Sequence, residues 1–505
     1  MTEGFRNAPP RASAMVEALR GLGYSPATAL ADIVDNSISA GARQVEITFA
    51  WQGADSAVSI LDDGAGMTAD GLDHAMRLGD RSPLEVRAGG DLGRFGLGLK
   101  TASFSQCRRL TVATRQGGGE AGVLRWDLDV LAATADASWR LLEGCAPGSE
   151  RRLAPLEALE HGTLVLWEAP DRLVSAGSRE QDFLDVIDGV ERHLAMVFHR
   201  YLDGARPKLI LSINGRRVRG WDPFLSDHPA TWSSPPHTVD VDGSPMTVQA
   251  FVLPHRDRLT PKAWELAGGP DGWTSQQGFY VYRNGRLLVA GSWLGLGRGR
   301  SWTKEEPFRL ARIRLDITNS ADADWKIDIR KSTARPPASA RPRLMRLAED
   351  TRDRARRVFA HRGRIVRSGQ AEVIKAWRTE HLASGVRYRI DRAHPAVAAV
   401  LEASGTLESQ VASMLRVIEE TVPVQRIWLD TAETHETPVN GFTSDPPAEV
   451  SAVLGVLFGN LVNRRGLSAG EARAQLLRTE PFNAYPALVA RLGADGPLSS
   501  EGNAP

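Results

Sequence analysis

Three polar segments between residues 31 and 106 constrain this chain more than anything else in it: ADIVDNSISAGA at 31–42, LDDGAGM at 61–67 and GRFGLGLKTASFSQ at 93–106. The first lies on a helix expected over 26–40, opened by Pro26 and stopped by Gly41. On it Asp32 and Asn36 stand at i and i+4 and share a face, with Asp35 and Ser39 close by. An acid and an amide on one face position a water and a phosphate-bound metal. The second segment ends an alternating strand, AVSILDDG, and its Gly64 and Gly66 let the backbone approach a flat ligand. A carboxylate there accepts a hydrogen bond from an exocyclic amine. The third places Gly93, Gly96 and Gly98 ahead of a helix start, where unpaired N–H groups and the helix dipole favour phosphate. Lys100 adds a cation, but Leu99 separates it from Gly98, so the segment is not a Walker loop. Taken singly, the three also read as a solvated helix face, an Asp-Gly turn and a flexible loop.

Their order and spacing are more specific. An acid/amide helix, a DxGxG turn about 26 residues on and a GxxGxGxK segment about 30 residues after that resemble the GHKL superfamily of ATPases. That superfamily includes type II topoisomerase ATPase subunits, the ninety-kilodalton heat-shock chaperones, sensor histidine kinases, MutL and MORC proteins. The resemblance implies ATP and Mg²⁺ as cofactors. It gives Asn36 the metal, Asp62 the adenine amino group, and Gly64, Gly66 and Met67 the flanks of the base. Gly93, Gly96, Gly98 and Lys100 become a lid over the phosphates, and Thr163, in HGTLV, supports the adenine-binding water. Asp32 stands where hydrolytic members carry a glutamate that activates water. Aspartate has the same chemistry with a shorter reach, and a general base must come within about 2.6–3.2 Å of its proton, directly or through one water. Slow turnover is therefore the expectation, with Asp35 the second choice of base.

The fold class expected is α+β: a GHKL (Bergerat) sandwich over 1–170, a transducer domain over 171–335, a basic helical connector over 336–390 and a C-terminal domain over 391–505. The strands PKLILSINGRRV, GFYVYRNGRLLVAG, IRLDIT and WKIDIRK belong to the second module in this reading. INGRRVRGWDPF and QGFYVYRNGRLL resemble the transducer of topoisomerase, MutL and MORC-type proteins, which histidine kinases lack. That domain usually supplies a lysine to the γ-phosphate; Lys331, ending the last strand, is the first candidate and Lys326 the second. The resemblance covers about residues 10–335 and is closest to prokaryotic MORC-like proteins. Beyond the proline-rich ARPPASARPR the chain reads as mostly helical, with a strand at VQRIWLD and a frayed tail from Ala494.

Composition narrows the function. The net charge is +1, so nucleic-acid binding requires a local patch. Residues 330–367 supply one, with thirteen Lys/Arg against Glu349, Asp350 and Asp353, and GLGRGRSWTK at 295–304 adds to it. Such an excess neutralises phosphates without reading sequence, although a solvated helix has the same composition. Cys107 and Cys145 are the only cysteines, too few for a disulfide framework or a four-thiolate zinc site. No apolar run spans a bilayer and MTEGFRNAPPRAS lacks a signal-peptide core, so cytoplasmic residence is expected. The leading reading is an ATP-dependent homodimeric clamp acting on DNA in repair or restriction-type defence, with protein partners taken by the C-terminal third. The alternatives are a chaperone-like client remodeller and a non-hydrolysing nucleotide-sensing scaffold.

Overall fold

The computed structural model describes residues 10–79, 98–134, 138–173, 177–318, 324–328, 333–360, 374–382, 385–424 and 448–493. The chain divides into two compact units, residues 1–364 and 365–505. The first unit opens with helices α1 (Ala12–Arg20) and α2 (Pro26–Ser39). Ser25 and Thr28 form a capping box at the start of α2, and Pro26 occupies the position where a missing N–H costs nothing. Residues 29 to 35 of α2 are all buried, Asp32 and Asp35 among them. A helix covered all round its middle is held by tertiary packing, and its acids need partners there.

Strands β1 (Gln44–Ala50) and β2 (Ala57–Asp62) follow, then α3 (Ala69–Met76), α4 (Gly98–Phe104), β3 (Arg109–Arg115), β4 (Gly122–Asp127), α5 (Leu128–Ala133), β5 (Leu142–Glu143), α6 (Glu150–Leu153) and β6 (Gly162–Glu168). After α7 (Glu180–Val197) and α8 (His199–Leu202) come β7 (Ile210–Ile213) and β8 (Arg216–Arg217). One sheet takes all eight strands in the order β5-β4-β3-β6-β2-β1-β7-β8. Val45, Ile47 and Phe49 of β1 alternate with exposed or half-buried residues, and their face packs under α1, α2, α4 and α7. The opposite face carries a smaller cluster around Ala57, Ala113, Leu156, Leu164 and Leu166. The register matters more than the core: Asp62 pairs with Thr163, and Thr163 with Thr114, so three adjacent strands align these residues in one row.

The placement of PKLILSINGRRV in the second module is corrected. β7 runs parallel to β1 and completes the first sheet. A parallel return needs a crossover, and α7, packed along α2, supplies it.

The second sheet contains β9 (Trp232–Ser233), β10 (His237–Val241), β11 (Ser244–Val252), β12 (Gly278–Arg283), β13 (Arg286–Ser292) and β14 (Ala311–Ile317), with α9 (Pro261–Ala267) and α10 (Gly272–Ser275) between β11 and β12. Its order is β10-β11-β14-β12-β13, with β9 also on β11. Asn284 and Gly285 join β12 to β13 with φ of 50° and 85°, the left-handed pair that a two-residue hairpin turn demands. WKIDIRK does not continue this sheet where it is described: residues 324–326 form a turn with Lys326 at φ 46°, which an extended ladder cannot accommodate.

Helix α11 (Arg341–Ala360) closes the first unit by packing on β11 and β14. The connector thus belongs to this unit up to Arg364, and its cations are not one surface. Arg352 is buried, its guanidinium 3.7 Å from the centre of Phe308 and 4.7 Å and 4.8 Å from Trp302 and Trp293. Arg298, from the glycine-arginine loop, makes a two-point ion pair with Glu349 at 2.6 and 2.9 Å. Arg354, Arg356 and Arg357 remain outside that interior.

The second unit holds a hairpin that the sequence does not announce, β15 (Trp377–Leu382) and β16 (Gly385–Ile390), and helices α12 (Pro395–Ala403) and α13 (Glu408–Glu420). Three further helices, Ala448–Gly459, Ala469–Leu476 and Pro486–Arg491, enclose a core of Leu454, Leu457, Leu461, Leu476, Phe482 and Val489. All but the first residue of the strand expected at VQRIWLD, and the tail from Ala494, lie outside the described residues.

Candidate functional site

Asp62 closes β2 with its side chain only 6% exposed. Ser37 of α2 donates its hydroxyl to Oδ2 at 2.7 Å, and the Gly64 backbone N–H donates to Oδ1 at 2.9 Å. Burial raises the carboxyl's pKa, and these two hydrogen bonds work against that rise. The result is a fixed acceptor at the end of the sheet. Beside it in the row, the Thr163 and Thr114 hydroxyls lie 3.1 Å apart. Thr114 donates to the Gly162 carbonyl at 3.1 Å and accepts the Met67 N–H at 2.9 Å, tying the turn after β2 to β3.

That turn has room for glycine alone. Gly66 has φ 67°, and a Cβ there would lie 1.9 Å from the Arg115 carbonyl oxygen. At Gly64 a Cβ would meet Asp62 Oδ1 at 2.8 Å and Ala40 Cβ at 2.9 Å. His161 closes the arrangement, its Nδ1 2.8 Å from the Gly64 carbonyl oxygen. Neither Thr114 nor His161 was legible as a site residue. Thr114 is an ordinary strand threonine in RLTVATR, and only the register reveals its neighbour. His161 stands beside Gly162-Thr163, a proximity that offered a signal.

A second group of residues lies along α2. Asp32 is buried and accepts a 3.0 Å hydrogen bond on Oδ2 from the Tyr24 hydroxyl. Burial and then the charge of Asp32 push the Tyr24 pKa upward, so it stays a donor. A Cβ on Gly98, the first residue of α4, would lie 3.8 Å from Asp32 Oδ2, which brings that helix start next to the acid. Asn36, one turn along α2, is exposed. Asp35 is engaged elsewhere: Arg286, first residue of β13, donates its Nε to both carboxylate oxygens at 3.2 and 3.1 Å.

The residues predicted for phosphate divide. Gly93 and Gly96 lie outside the described residues, as does Lys331. Lys100, expected over the phosphates, points inward here. Its side chain is buried, with Nζ donating to the Ala75 carbonyl at 2.8 Å, one of the carbonyls that the C-terminal turn of α3 leaves without a helical partner. Lys326 is exposed in its turn, and Asp328, two residues on, is near enough for its charge to bear on the Tyr24 hydroxyl. Residues 324–328, which carry Lys326, therefore approach the Asp32 side of the site.

Comparison with known proteins agrees with this geometry. Residues 24–163 match the family model for histidine kinase-, DNA gyrase B-, and HSP90-like ATPases. ATPase morc-1 of Caenorhabditis elegans is 32% identical over 93 residues, 18% of this chain and 10% of that protein. The DNA mismatch repair protein MutL of Rhizorhabdus wittichii is 30% identical over 198 residues, 38% of this chain and 29% of that protein. A MutL of Halobacterium salinarum is 37% identical over 102 residues, 19% of this chain and 15% of that protein. The chain thus spans between 10% and 29% of the length of these curated relatives. With the acid/amide helix, the glycine turn and the Asp62–Thr163–Thr114 row on one side of the first sheet, residues 24–163 form a GHKL ATPase domain.

Proposed function

We propose that the chain binds ATP with Mg²⁺ and hydrolyses it slowly, and that ATP-driven homodimerisation closes it as a clamp in a DNA-related process. The carrying observation is the rigid acceptor row, Asp62–Thr163–Thr114, beside a turn that any side chain at Gly66 would fill. A purine fits that donor set: Asp62 accepts from its amino group, Thr163 holds the water next to it, and Gly64, Gly66 and Met67 flank the ring. Asn36 offers an exposed amide oxygen to the metal, whose charge offsets that of the phosphates. Gly98 presents a helix start to the phosphates, with Gly93 and Gly96 leading into it. Lys100 joins them only by giving up the Ala75 carbonyl. Asp32 is the base, and Lys331 or Lys326 senses the γ-phosphate.

The DNA element of the proposal draws on the MORC and MutL likenesses and on the outer arginines of α11. Arg352 takes no part, since it lies inside an aromatic box. A second reading, a nucleotide sensor that seldom turns over, gains from Asp32: one oxygen already takes the Tyr24 hydroxyl, so the acid is less able to activate water. An ATPase assay with and without duplex DNA separates the two. Turnover stimulated by DNA supports the clamp, and ATP binding without turnover supports the sensor. Light scattering with a non-hydrolysable analogue tests closure: the 54.9 kDa chain doubles its mass if the clamp is right.

A further inference from the structure

The ion pair that joins the two sheets of the first unit falls on the polar residues of α2. Arg286 is buried at 3% exposure, beyond the hairpin turn at Asn284-Gly285, and reaches a helix 251 positions earlier in the chain. Its guanidinium has three engagements. Nε donates to Asp35, Nη1 donates to the Leu287 carbonyl at 2.9 Å, and Nη2 stands 3.8 Å from Asp32 Oδ1. The hairpin tip that carries it is held by the Tyr201 hydroxyl, which donates to the Asn284 carbonyl at 2.5 Å.

The two acids are treated differently. Asp35 accepts a three-centre, charge-assisted bond from the single Nε–H on both of its oxygens, which tethers the guanidinium. Asp32 receives the same cation at ion-pair distance, beyond the reach of a hydrogen bond. An ion pair compensates a buried negative charge, whereas a hydrogen bond from the guanidinium would also tie up a lone pair that a general base uses. Released from Asp35, the same guanidinium would be attracted to Asp32, a second buried carboxylate 3.8 Å from its Nη2.

We propose that Arg286 is a positioning residue for hydrolysis: tethered by Asp35, it compensates the charge of Asp32 from ion-pair distance, and so makes turnover depend on where the β12–β13 hairpin of the second sheet sits. This rests on the reading of Asp32 as the base. Asp35 then serves as the anchor that keeps the cation from closing on the acid, and the second base candidate of the sequence acquires another role. A shift of the hairpin toward Asp32 turns the ion pair into a hydrogen bond, and a shift away removes the cation. Either movement slows hydrolysis and leaves the Asp62 pocket untouched.

The test uses the full chain and steady-state ATPase kinetics on four variants, with folding checked by thermal melting. Arg286→Gln combined with Asp35→Asn keeps a neutral hydrogen-bonded pair and so keeps the packing. Its kcat should fall at least about tenfold, within the range a general base contributes, with KM changed less than about twofold. Asp35→Asn alone should also lower kcat, because the released arginine closes on Asp32. Arg286→Lys restores the charge and should recover activity to within about threefold of wild type, although its ammonium cannot engage Asp35, Asp32 and the Leu287 carbonyl at once as the guanidinium does. A folded Arg286→Gln/Asp35→Asn chain that keeps wild-type kcat overturns this proposal while the base assignment stands. An Asp32→Asn chain that hydrolyses at the wild-type rate, or a wild-type chain with no turnover, overturns the base assignment and the proposal with it.

Discussion

The two ends of the nucleotide site are built on different principles. At the end proposed for adenine, the hydrogen-bond donors to Asp62 and its neighbours in the row come from residues 37 to 163, and strand register brings Asp62, Thr163 and Thr114 into line. At the phosphate end, Asp32 lies among groups from Tyr24, Gly98 and Arg286, the last of them on the hairpin of another sheet. One end is rigid because its parts are locked into adjacent strands of a single sheet. The other is assembled from a distance, so movement elsewhere in the molecule can alter it. Binding and turnover should therefore respond to different mutations.

The largest effect expected tests that separation directly. Asp32→Asn should reduce turnover by about 10²- to 10⁴-fold, the share a general base supplies, while calorimetry finds ATP affinity close to wild type. Equal loss of binding and turnover would mean that the two ends are not independent. Next, Asp62→Asn leaves a weaker, neutral acceptor facing the adenine amine, and ATP affinity should fall by at least about tenfold, the 1–3 kcal/mol scale of a spoiled buried hydrogen bond. Unchanged affinity would remove the adenine assignment altogether.

A smaller effect is expected at the connector. Arg354, Arg356 and Arg357 replaced together by glutamine should flatten the salt dependence of duplex binding by about 0.9 in log–log slope for each phosphate no longer neutralised, equally for all sequences. The melting temperature of that variant should fall only slightly, through the lost stacking of Arg354 on Trp232 at 3.9 Å. Arg352→Met should do the reverse, lowering the melting temperature with the slope unchanged, because that cation is held by Phe308, Trp302 and Trp293. Filter binding that detects no duplex at low salt, with or without ATP, would remove DNA from the proposed function.

The smallest effect concerns pH. Burial lowers the pKa of His193 and of His199 to about 4, His193 beside Arg286 and Asp35, His199 against the Tyr282 hydroxyl at 2.9 Å. The unfolded chain takes up protons at these histidines near pH 6.5 and the folded chain does not, so stability is lost as pH falls from about 6.5 toward 4. Melting curves should shift downward by a few degrees over that window, and His199→Asn should reduce the shift. A pH-independent melting temperature would mean that neither histidine is held neutral under the hairpin.

What the sequence disclosed follows the same division. Asp62, Gly64 and Gly66 were readable as candidates because they share one short motif, whereas Thr163 was named only through the family resemblance and meets Asp62 through strand register. Thr114 escaped because it lies in an unremarkable strand, and only cross-strand pairing gives it a role. Arg286 escaped because YRNGRLL reads as a hairpin, and nothing local tells that its side chain crosses to α2. The inward contact of Lys100 was hidden for a related reason. A lysine after three glycines suggests phosphate, but the partner it holds, the Ala75 carbonyl, is 25 residues earlier. For the connector, composition counted thirteen cations correctly and had no means of telling that one of them is an interior residue.

The parallel return of β7 to β1 bears on how this molecule can be divided. A fragment stopped at residue 170, where the first motif-bearing strands end, would keep six of the eight strands and lose α7, β7 and β8. β1 would then present its outer row of N–H and C=O groups to solvent, and the part of α2 that α7 covers would be bare. An open strand edge beside uncovered apolar helix is a template for self-association. The minimal stable piece of the first unit should therefore run past Arg217, and aggregation of anything shorter would point to a missing strand rather than a defect in the candidate site.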